Sequence, residues 1–460
     1  MARTHADLPV LLDRTSGDPL HVQLAETLRA RIRAGDLPAG ERLPSSRAFA
    51  AALGVSRTVV TESYQQLYAE GWLEGRHGSG TYVADVGDPR PPGPVAGPAV
   101  AGEPAELSRD EARALGLVDL RPGGPWTGGH AAAAWKRAWR AAAEHPPGDD
   151  PDPRGLPRLR ALLCDHLRRA RGVAAGPENL IVTRGTGNGL DLVGALFAAG
   201  RRAGVEDPGY GSARSILAAR GAVPVACPVD RDGIVVDGLP DDLALLYTTP
   251  AHQYPLGGRL PIARRERLLE WARRTGARVV EDDYDAEFRY DVAPLPALYG
   301  LDPSQVILLG TLSKTLSPDP GLGWIVAAPE TADRIAALRR DLADRTSVPV
   351  QHAMAELLDR GDLDRHLRRM RLEYARRRAL VVDILGDRVT GDTAGLHVML
   401  PLPEDRLEPV RRAARAHGVL LDDTRRYTRA PHSHHGLVLG YATPSTADLR
   451  RACTTLAALL

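Results

Sequence analysis

Residues 307–324 read ILLGTLSKTLSPDPGLGW and point to an α/β sheet with chemistry at one edge. The apolar start predicts a buried strand that ends near Gly310, and Lys314 follows just beyond that carboxyl end. Open α/β sheets bind ligands at this edge, where a lysine can form a Schiff base with a carbonyl cofactor. The alternative is a solvated surface lysine. Three hydroxyl residues flank the lysine and favour the first interpretation: Thr311, Ser313 and Thr315.

Lysine is rare in this chain. Of 59 basic residues, 57 are arginines, and the two lysines are Lys136 and Lys314. A lysine that persists in such a composition suggests a need for its amine. Formal net charge is +1 and therefore says nothing about nucleic acid by itself.

The sequence around Lys314 alternates between short apolar runs and helical patterns. Buried strands are predicted in NLIVT (179–183), LALLYTTP (243–250), ARVVEDDY (277–284) and QVILLG (305–310), with helices at 157–172 and 263–276. Such alternation predicts an α/β domain whose mostly parallel sheet is covered on both faces. After Val348 the pattern becomes helix-rich and then shows GLHVMLP and GLVLGYA, which predicts a smaller α+β lobe over about 348–460.

Further polar groups follow predicted strands. Asp282 and Tyr284 can pair with a pyridine nitrogen and a phenolic oxygen, or can merely cap a helix. Gly185, Thr186 and Gly187 precede a predicted helix, whose N-terminal amides bind phosphate, although this motif alone is weak evidence. Two loops after other strands add candidates, in EDPGYGSAR and TTPAHQYPLGG: Tyr210 and His252.

The N-terminal segment, residues 1–86, predicts a helix-turn-helix unit. Apolar residues at helical spacing favour a helix over 20–34; Ser45 caps a short helix that ends at Leu53, and Gly54 supplies the turn. Ser56 caps the next helix, about 57–69, which would enter the major groove. The residues expected at base edges are Ser56, Arg57, Thr58 and Thr61, and Arg47 is better placed for a phosphate. The alternative is a helix pair that binds nothing.

A two-stranded wing is predicted in WLEGRHGSGTYVAD, residues 72–85. Its glycines allow a tight turn and close backbone approach. The wing residues expected at the minor groove or the DNA backbone are Arg76, His77 and Gly78. Residues 87–116 are rich in proline, glycine and alanine and predict an extended linker before the large domain, 117–460.

Residues 19–83, PLHVQLAETLRARIRAGDLPAGERLPSSRAFAAALGVSRTVVTESYQQLYAEGWLEGRHGSGTYV, resemble the GntR-type winged helix almost throughout. From Leu120 the chain resembles fold-type I aminotransferases, and the combination resembles the MocR subfamily of transcriptional regulators. The landmarks of the second resemblance are LRPGGP, DPRGLPRLR, EDPGY, TPAHQYP, EDDYDAEFRY and LSKTL.

This resemblance implies pyridoxal 5′-phosphate (PLP) as a cofactor. It places the Schiff base on Lys314, the pyridine nitrogen on Asp282, the phenolic oxygen on Tyr284, and the phosphate near Thr186 and Thr311. It also implies a head-to-tail homodimer that binds a double-stranded DNA operator. The remaining residues expected to bind the cofactor are Ser313, Gly185, Gly187, Tyr210 and His252.

Two departures from the family affect the phosphate. Family members usually carry an arginine seven residues after the lysine, where this chain has Gly321. A usual tyrosine from the partner subunit corresponds to Asp150. Losing an arginine–phosphate pair would weaken cofactor binding by more than about tenfold. Arg184 and Arg121 are candidate substitutes.

Three functions remain open on sequence alone. The first is a regulator that senses PLP, or an amine or amino acid, through a Schiff base at Lys314. The second is the same architecture without PLP, using another effector or none. The third is an active aminotransferase with a fused DNA-binding domain. A substrate carboxylate would need an arginine, and the candidates match no clear position: Arg425, Arg426 and Arg429.

Composition sets the expected compartment. The three cysteines, Cys164, Cys227 and Cys453, have no metal-ligand spacing, which fits a reducing cytoplasm. The HSHH run at 432–435 suggests a polar loop rather than a metal site. No apolar run is long enough to cross a membrane, so a soluble, cytoplasmic protein is expected.

Overall fold

The computed structural model describes residues 10, 12–76, 80–85, 107–129, 131–291, 296–430 and 434–460. The chain forms two units, Met1–Ala105 and Glu106–Leu460, each with its own core. None of the described helices is both long enough and apolar enough to cross a bilayer.

The first unit contains helices α1–α3 and strands β1 and β2. Their bounds are Leu20–Ala34, Ser46–Leu53 and Arg57–Ala69 for the helices, and Leu73–Arg76 and Gly80–Val83 for the antiparallel strands. These bounds confirm the predicted helix-turn-helix and wing. The apolar face of α1 packs into the unit's core through Leu24, Leu28 and Ile32.

Local capping explains where these helices start and stop. The Ser45 hydroxyl accepts a hydrogen bond from the amide of Ala48, and the Ser56 hydroxyl accepts one from the amide of Val59. Both serines satisfy amides that have no partner within the helix. Gly54 ends α2 at a φ of 64°, a conformation that glycine adopts without steric cost.

The second unit is built on a mixed sheet and a smaller lobe. The main strands are β4 (Leu180–Thr183), β5 (Arg202–Asp207), β6 (Val223–Asp230), β7 (Gly233–Ile234), β8 (Leu245–Thr248), β9 (Arg278–Asp283), β10 (Val306–Thr311) and β11 (Gly323–Val326), after the short β3 (Val118–Asp119). The strands of the smaller lobe are β12 (His397–Pro401), β13 (Val419–Leu420), β14 (Asp422–Asp423) and β15 (Gly436–Gly440).

The main sheet has the order β4-β11-β10-β9-β8-β5-β6-β7. Strands β6, β5, β8, β9 and β10 pair in parallel, and β11 is antiparallel to both of its neighbours. Alternate residues face two apolar cores, so Leu308 lies in one and Leu309 in the other. The predicted α/β class with both faces covered is therefore confirmed.

Helices cover both faces of the sheet and build the smaller lobe. They are α4 (Arg109–Ala114), α5 (Ala132–Ala143), α6 (Pro157–Arg171), α7 (Thr186–Phe197), α8 (Gly211–Ala219), α9 (Ile262–Thr275), α10 (Pro329–Asp341), α11 (Val348–Asp359), α12 (Asp362–Leu385), α13 (Glu404–Ala416) and α14 (Thr446–Leu459). Short 3₁₀ turns lie at Thr127–Gly129, Pro177–Asn179, Leu298–Gly300, Gly386–Arg388 and Thr424–Tyr427.

Two sequence boundaries differ from the structure. Residues 107–116 were expected in the linker but belong to the second unit, where Ser108 and Glu111 form a capping box that starts α4. Strand β3 pairs in parallel with β13, so the segment before the sheet joins the smaller lobe. Helix α11 was expected in that lobe but packs against α5 and α6. The rest of the predicted linker, 87–106, lies outside the described residues.

A close approach in the sheet gives a stability prediction. Gly310 in β10 has no room for a side chain, because a Cβ would overlap the indole ring of Trp324. We expect Gly310→Ala to destabilise the second unit by roughly 1–3 kcal/mol through overpacking. Gly300→Ala is the control, since a Cβ there meets no atom within 4 Å. Thermal unfolding measures both variants, and equal midpoints would contradict the prediction.

Candidate functional site

The predicted DNA-contacting residues lie on one exposed end of the helix-turn-helix. Arg47, Ser56, Arg57 and Thr58 are exposed, and Thr61 is half-buried. The Arg57 Nε donates to the Ser46 hydroxyl at 3.3 Å, which holds the guanidinium at the start of α3. The Thr61 hydroxyl donates to the carbonyl of Arg57 at 2.9 Å, so its oxygen retains capacity to accept a hydrogen bond.

The structure describes only part of the predicted wing. Arg76 ends β1, and its side chain is not described. His77 and Gly78 lie outside the described residues.

The second unit holds a cavity of about 800 Å³ at the carboxyl edge of its sheet. The edge of the sheet lines one side, and the smaller lobe together with residues 121–123 lines another. This cavity brings together most of the predicted cofactor residues: Gly185, Thr186, Gly187, Tyr210, Asp282, Tyr284, Thr311, Ser313 and Lys314.

Lys314 is half-buried just beyond β10, as its position after the strand predicted. Its Nζ donates to the carbonyl oxygen of Gly123. Burial lowers the pKa of the amine, and the positive charge of Arg109 lowers it further, against the opposing effect of Asp285 and Asp282. A lowered pKa increases the neutral, nucleophilic fraction of the amine.

Asp282 presents an unpaired oxygen at the floor of the cavity. Its Oδ2 accepts a hydrogen bond from the Tyr247 hydroxyl, while its buried Oδ1 has no partner among the described residues. Burial raises the pKa of this carboxyl to about 7, although Tyr247 and Lys314 act in the opposite direction. A buried carboxylate oxygen without a donor fits a protonated pyridine nitrogen as its missing partner.

Tyr284 also lines the cavity, and the buried residues His252 and Asp285 lie behind it. The tyrosine hydroxyl donates to the carbonyl of His252 at 3.1 Å and lies 3.0 Å from its Nδ1. His252 Nδ1 is 2.9 Å from Asp285 Oδ2, which fixes the orientation of the ring. His252 was expected to bind the cofactor directly, but it is absent from the described cavity wall and contacts Tyr284 instead.

His397, on β12, closes this group. Its Nε2 lies 3.1 Å from the carbonyl oxygen of Pro255, and burial lowers its pKa well below the usual value. Potential ligand atoms of His252, Asp285 and His397 lie within 4.8 Å of one another. The Asp285 oxygen contacts His252 Nδ1 and His397 Nε2 contacts a backbone carbonyl, whereas His252 Nε2 has no partner among the described residues. The sequence analysis missed Asp285, His397 and Tyr247. Asp285 stood in a stretch that had already been singled out, EDDYDAEFRY.

The opposite end of the cavity carries hydroxyls and helix amides. Gly185, with a φ of 116°, precedes α7, and Thr186 and Gly187 begin that helix. The Thr311 hydroxyl lies 2.9 Å from the Ser313 hydroxyl and accepts the Ser313 amide at 3.1 Å. Free amides at a helix start and clustered hydroxyls suit a phosphate.

The two departures are visible in the structure. Gly321 adopts a φ of 53°, and its amide donates to Pro318 in a tight turn. Asp150 is exposed. Of the two candidate substitutes, Arg121 makes two hydrogen bonds to Asp119 and one to a backbone carbonyl, whereas Arg184 is half exposed.

Only two of the three arginines proposed to bind a substrate carboxylate line the cavity. Arg425 pairs with Asp423 and Glu408 and is absent from the described cavity wall, whereas Arg426 and Arg429 line it. Within the HSHH run, residues 432 and 433 lie outside the described residues. His434 contacts the Val229 carbonyl, and His435 lies 3.8 Å from Glu404, so neither faces this cavity.

Two family models match the chain. The model described as "Bacterial regulatory proteins, gntR family" matches residues 20–83, and "Aminotransferase class I and II" matches residues 124–456.

Curated relatives share both parts. The chain is 38% identical over 450 residues to the HTH-type pyridoxine biosynthesis transcriptional regulator PdxR of Corynebacterium glutamicum, covering 97% of each chain. It is 36% identical over 474 residues to the probable rhizopine catabolism regulatory protein MocR of Rhizobium meliloti, covering 97% of this chain and 95% of that protein.

Solved structures resemble the second unit. An archaeal alanine:glyoxylate aminotransferase superposes with a TM-score of 0.70 at 26% identity, over 76% of this chain and 93% of that one. LysN, an α-aminoadipate aminotransferase from Thermus thermophilus, superposes with a TM-score of 0.66 at 26% identity, over 77% and 95%. The second unit therefore has the fold of the class I and II aminotransferases.

The raised pKa of Asp282 predicts a pH-dependent stability. The folded chain keeps a proton on Asp282 up to about pH 7, whereas an unfolded aspartate releases it near pH 4. The free energy of unfolding contributed by this proton is therefore lost as pH rises through that window. We expect the melting temperature of the wild type to fall relative to Asp282→Asn between pH 5 and pH 8.

The control for this prediction is Asp241→Asn. Asp241 is exposed and pairs with Arg274, which lowers the pKa of the Asp241 carboxyl below its usual value. Asp241 therefore titrates below the range of pH 5–8. Parallel melting curves of the wild type and Asp282→Asn across pH 5–8 would show that Asp282 titrates normally.

Proposed function

The chain belongs to the MocR-type transcriptional regulators, in which a GntR-family helix-turn-helix precedes an aminotransferase-like domain, and on that premise we propose that it regulates transcription in response to PLP. The first unit supplies DNA binding. The cavity of the second unit binds PLP through Lys314, and the bound state alters how a dimer engages its operator.

The unpaired Oδ1 of Asp282 carries the proposal for the cofactor. A buried carboxylate oxygen without a donor is costly, and a pyridinium N–H removes that cost. Tyr284 would turn its one hydroxyl hydrogen from the His252 carbonyl to the phenolic oxygen. Thr186, Thr311 and the amides after Gly185 would hold the phosphate. When bound, PLP supplies an aldehyde that reacts with amines and a ring that accepts electrons.

The chain's own residues prepare the site for this group. The lowered pKa of Lys314 keeps part of its amine neutral and able to attack a carbonyl. The contact with His252 and Asp285 holds the Tyr284 hydroxyl at the cavity wall. An amine or amino-acid effector would compete with Lys314 for the same aldehyde, which extends the proposal to sensing amines.

The relatives favour PLP itself as the signal. The relative at 38% identity is named for pyridoxine biosynthesis, which concerns the vitamin from which PLP derives. The relative at 36% identity is named for rhizopine catabolism, so effectors differ within the family.

Binding to an operator with two half-sites requires two DNA-binding units in one assembly. We propose a homodimer, because helix-turn-helix dimers recognise paired half-sites about 34–36 Å apart or multiples of that spacing. The head-to-tail arrangement of the two chains is the one that the resemblance to the family implies. PLP can shift the equilibrium between two arrangements of the DNA-binding units only by the difference between its affinities for those two arrangements.

One observation favours a second candidate, the same architecture without PLP. The position of the usual phosphate-binding arginine is Gly321, and the position of the partner's tyrosine is the exposed Asp150. A regulator that has lost the cofactor would use another effector or none.

DNA binding is tested with duplexes selected by the wild type from a random pool. We expect Arg57→Ala to weaken binding to the selected sequences by about tenfold or more, since a bidentate base contact contributes roughly 1–3 kcal/mol. Arg47→Ala should instead weaken all sequences and reduce the salt dependence by about one phosphate contact.

The control is Arg29→Gln, which removes an ion pair with Glu70 at the C-terminal end of α3, the opposite end of that helix from Arg57. Its affinity for the selected duplexes should match the wild type. An Arg57→Ala protein that binds these duplexes as tightly as the wild type would contradict the placement of α3 in the groove.

Cofactor binding is tested with the two lysines of the chain. PLP added to the wild type should produce a visible absorbance band, and borohydride should bleach the band while attaching the cofactor covalently to the lysine. Lys314→Ala should show neither the band nor the covalent label. Lys136→Ala, an exposed lysine on α5, should keep both. Peptide mapping of the reduced protein should place the label on Lys314.

A wild-type protein that shows no band with saturating PLP would instead support the second candidate. Turnover of an amino donor with a keto acid by the PLP-loaded protein would indicate an aminotransferase.

A further inference from the structure

Gly321 stands where family members usually carry a phosphate-binding arginine, so the phosphate end of the cavity lacks that cation. A different arginine, Arg184, lines the same cavity. We infer that Arg184 binds the phosphate of PLP and is held by Asp344 until the phosphate arrives. This inference rests on the proposed cofactor.

Arg184 has the right position in the chain. It follows β4 directly and precedes Gly185, so its backbone belongs to the loop whose amides face the cavity. Its side chain lines the same cavity as Thr186, Thr311 and Ser313. A guanidinium at this point reaches the group that those hydroxyls and amides would bind.

Arg184 also has donors to spare. Its Nη1 donates to the Asp344 carboxylate and to the carbonyl of Arg345 at 3.2 Å. Its Nε and Nη2 make no hydrogen bond among the described residues, and its side chain is 51% exposed. A guanidinium has five N–H donors, so it can reach a second anion.

Asp344 would not be left unpaired if Arg184 turned to the phosphate. The Nε of the buried Arg339 donates to its Oδ2 at 3.1 Å, and the Asn188 amide reaches the same oxygen at 3.4 Å. The preceding Ala343 has a φ of 49°, a conformation unfavourable for alanine, which fixes the turn that presents Asp344. The structure therefore provides a second partner for each member of the Arg184–Asp344 pair.

The surrounding charge favours an anion. Arg184 and Arg339 donate to the Asp344 carboxylate, and Arg345 donates to the Asp344 backbone carbonyl. Asp152 is the other carboxylate that acts on Arg339, so three arginines face two carboxylates. Burial, followed by the charges of Arg184 and Arg345, lowers the pKa of Arg339 to about 10. A phosphate with two negative charges would relieve this repulsion.

Arg426 and Arg429 line the cavity from the smaller lobe, and the two remaining arginines of its wall, Arg121 and Arg109, are committed elsewhere. Arg121 forms a bidentate pair with Asp119 and also bonds the carbonyl of Leu107. Arg109 donates to two backbone carbonyls and pairs with the same Asp119. Moving either would take a donor from Asp119 and leave backbone carbonyl oxygens without their arginine donors.

The experiment compares PLP with pyridoxal, which lacks only the phosphate. Affinities are measured by absorbance titration of the full chain. We expect Arg184→Gln to weaken PLP binding by about tenfold or more and pyridoxal binding by less than about twofold, since charge-assisted bonds to phosphate are lost. Asp344→Asn should strengthen PLP binding severalfold, and this gain should vanish in the double variant with Arg184→Gln.

The control is Arg202→Gln, an exposed arginine paired with Asp242 on another part of the surface, which should bind both vitamers as the wild type does. Unchanged PLP binding by Arg184→Gln, or equal losses for PLP and pyridoxal, would overturn the role of Arg184 while leaving the proposed cofactor intact. A wild type that binds neither vitamer would overturn both.

Discussion

The cavity depends on one close approach of backbone to backbone at Gly323. This residue lies in β11, where the sheet register sets it opposite Thr311 of β10 and Thr183 of β4. A Cβ at Gly323 would lie 2.5 Å from the carbonyl oxygen of Gly310 and 2.7 Å from the Cα of Gly185. Any side chain there would push the loop before α7 away from the sheet. Because Gly323 has none, the loop amides and the Thr311 hydroxyl share one end of the cavity.

Strand β9, which is adjacent to β10, sets the other end of the cavity through three consecutive acidic residues. Glu281 accepts the amides of Leu298 and Tyr299 at 2.8 and 2.9 Å, and Asp283 forms a bidentate pair with the buried Arg171. Both carboxylates are therefore satisfied by the fold. Asp282 lies between them with one oxygen unpaired. A buried acceptor without a donor costs about 1–3 kcal/mol, so its position at a cavity floor argues for a ligand that supplies the donor.

The sequence was most informative where the signal is local. The caps at Ser45 and Ser56, the strand before Lys314 and the strand before Asp282 depend on neighbours within a few residues, and these predictions are confirmed. Tyr247 could not be placed, because a strand buried on both faces is apolar throughout and does not show which side chains point to the cavity. His397 arrives from a distant strand of the smaller lobe, and only tertiary structure brings it near Tyr284 and His252. Helix α4 was missed because a proline-rich composition masked its capping box.

In the proposed function, the bond between Lys314 and Gly123 is the contact through which PLP alone would act as a signal. Leu120, three residues before Gly123, accepts the amide of Gly440, so this segment is attached to the smaller lobe. A Lys314 amine committed to PLP cannot also donate to Gly123, and one contact between the sheet edge and the lobe segment is exchanged for the cofactor. One such bond contributes roughly 0.5–3 kcal/mol, whereas shifting an equilibrium from 1:99 to 99:1 requires about 5.5 kcal/mol. In the proposed function, the remaining difference comes from contacts with the smaller lobe, where Tyr427 and Arg429 line the cavity. Sensing as proposed is therefore a property of the two walls together and not of Lys314 alone.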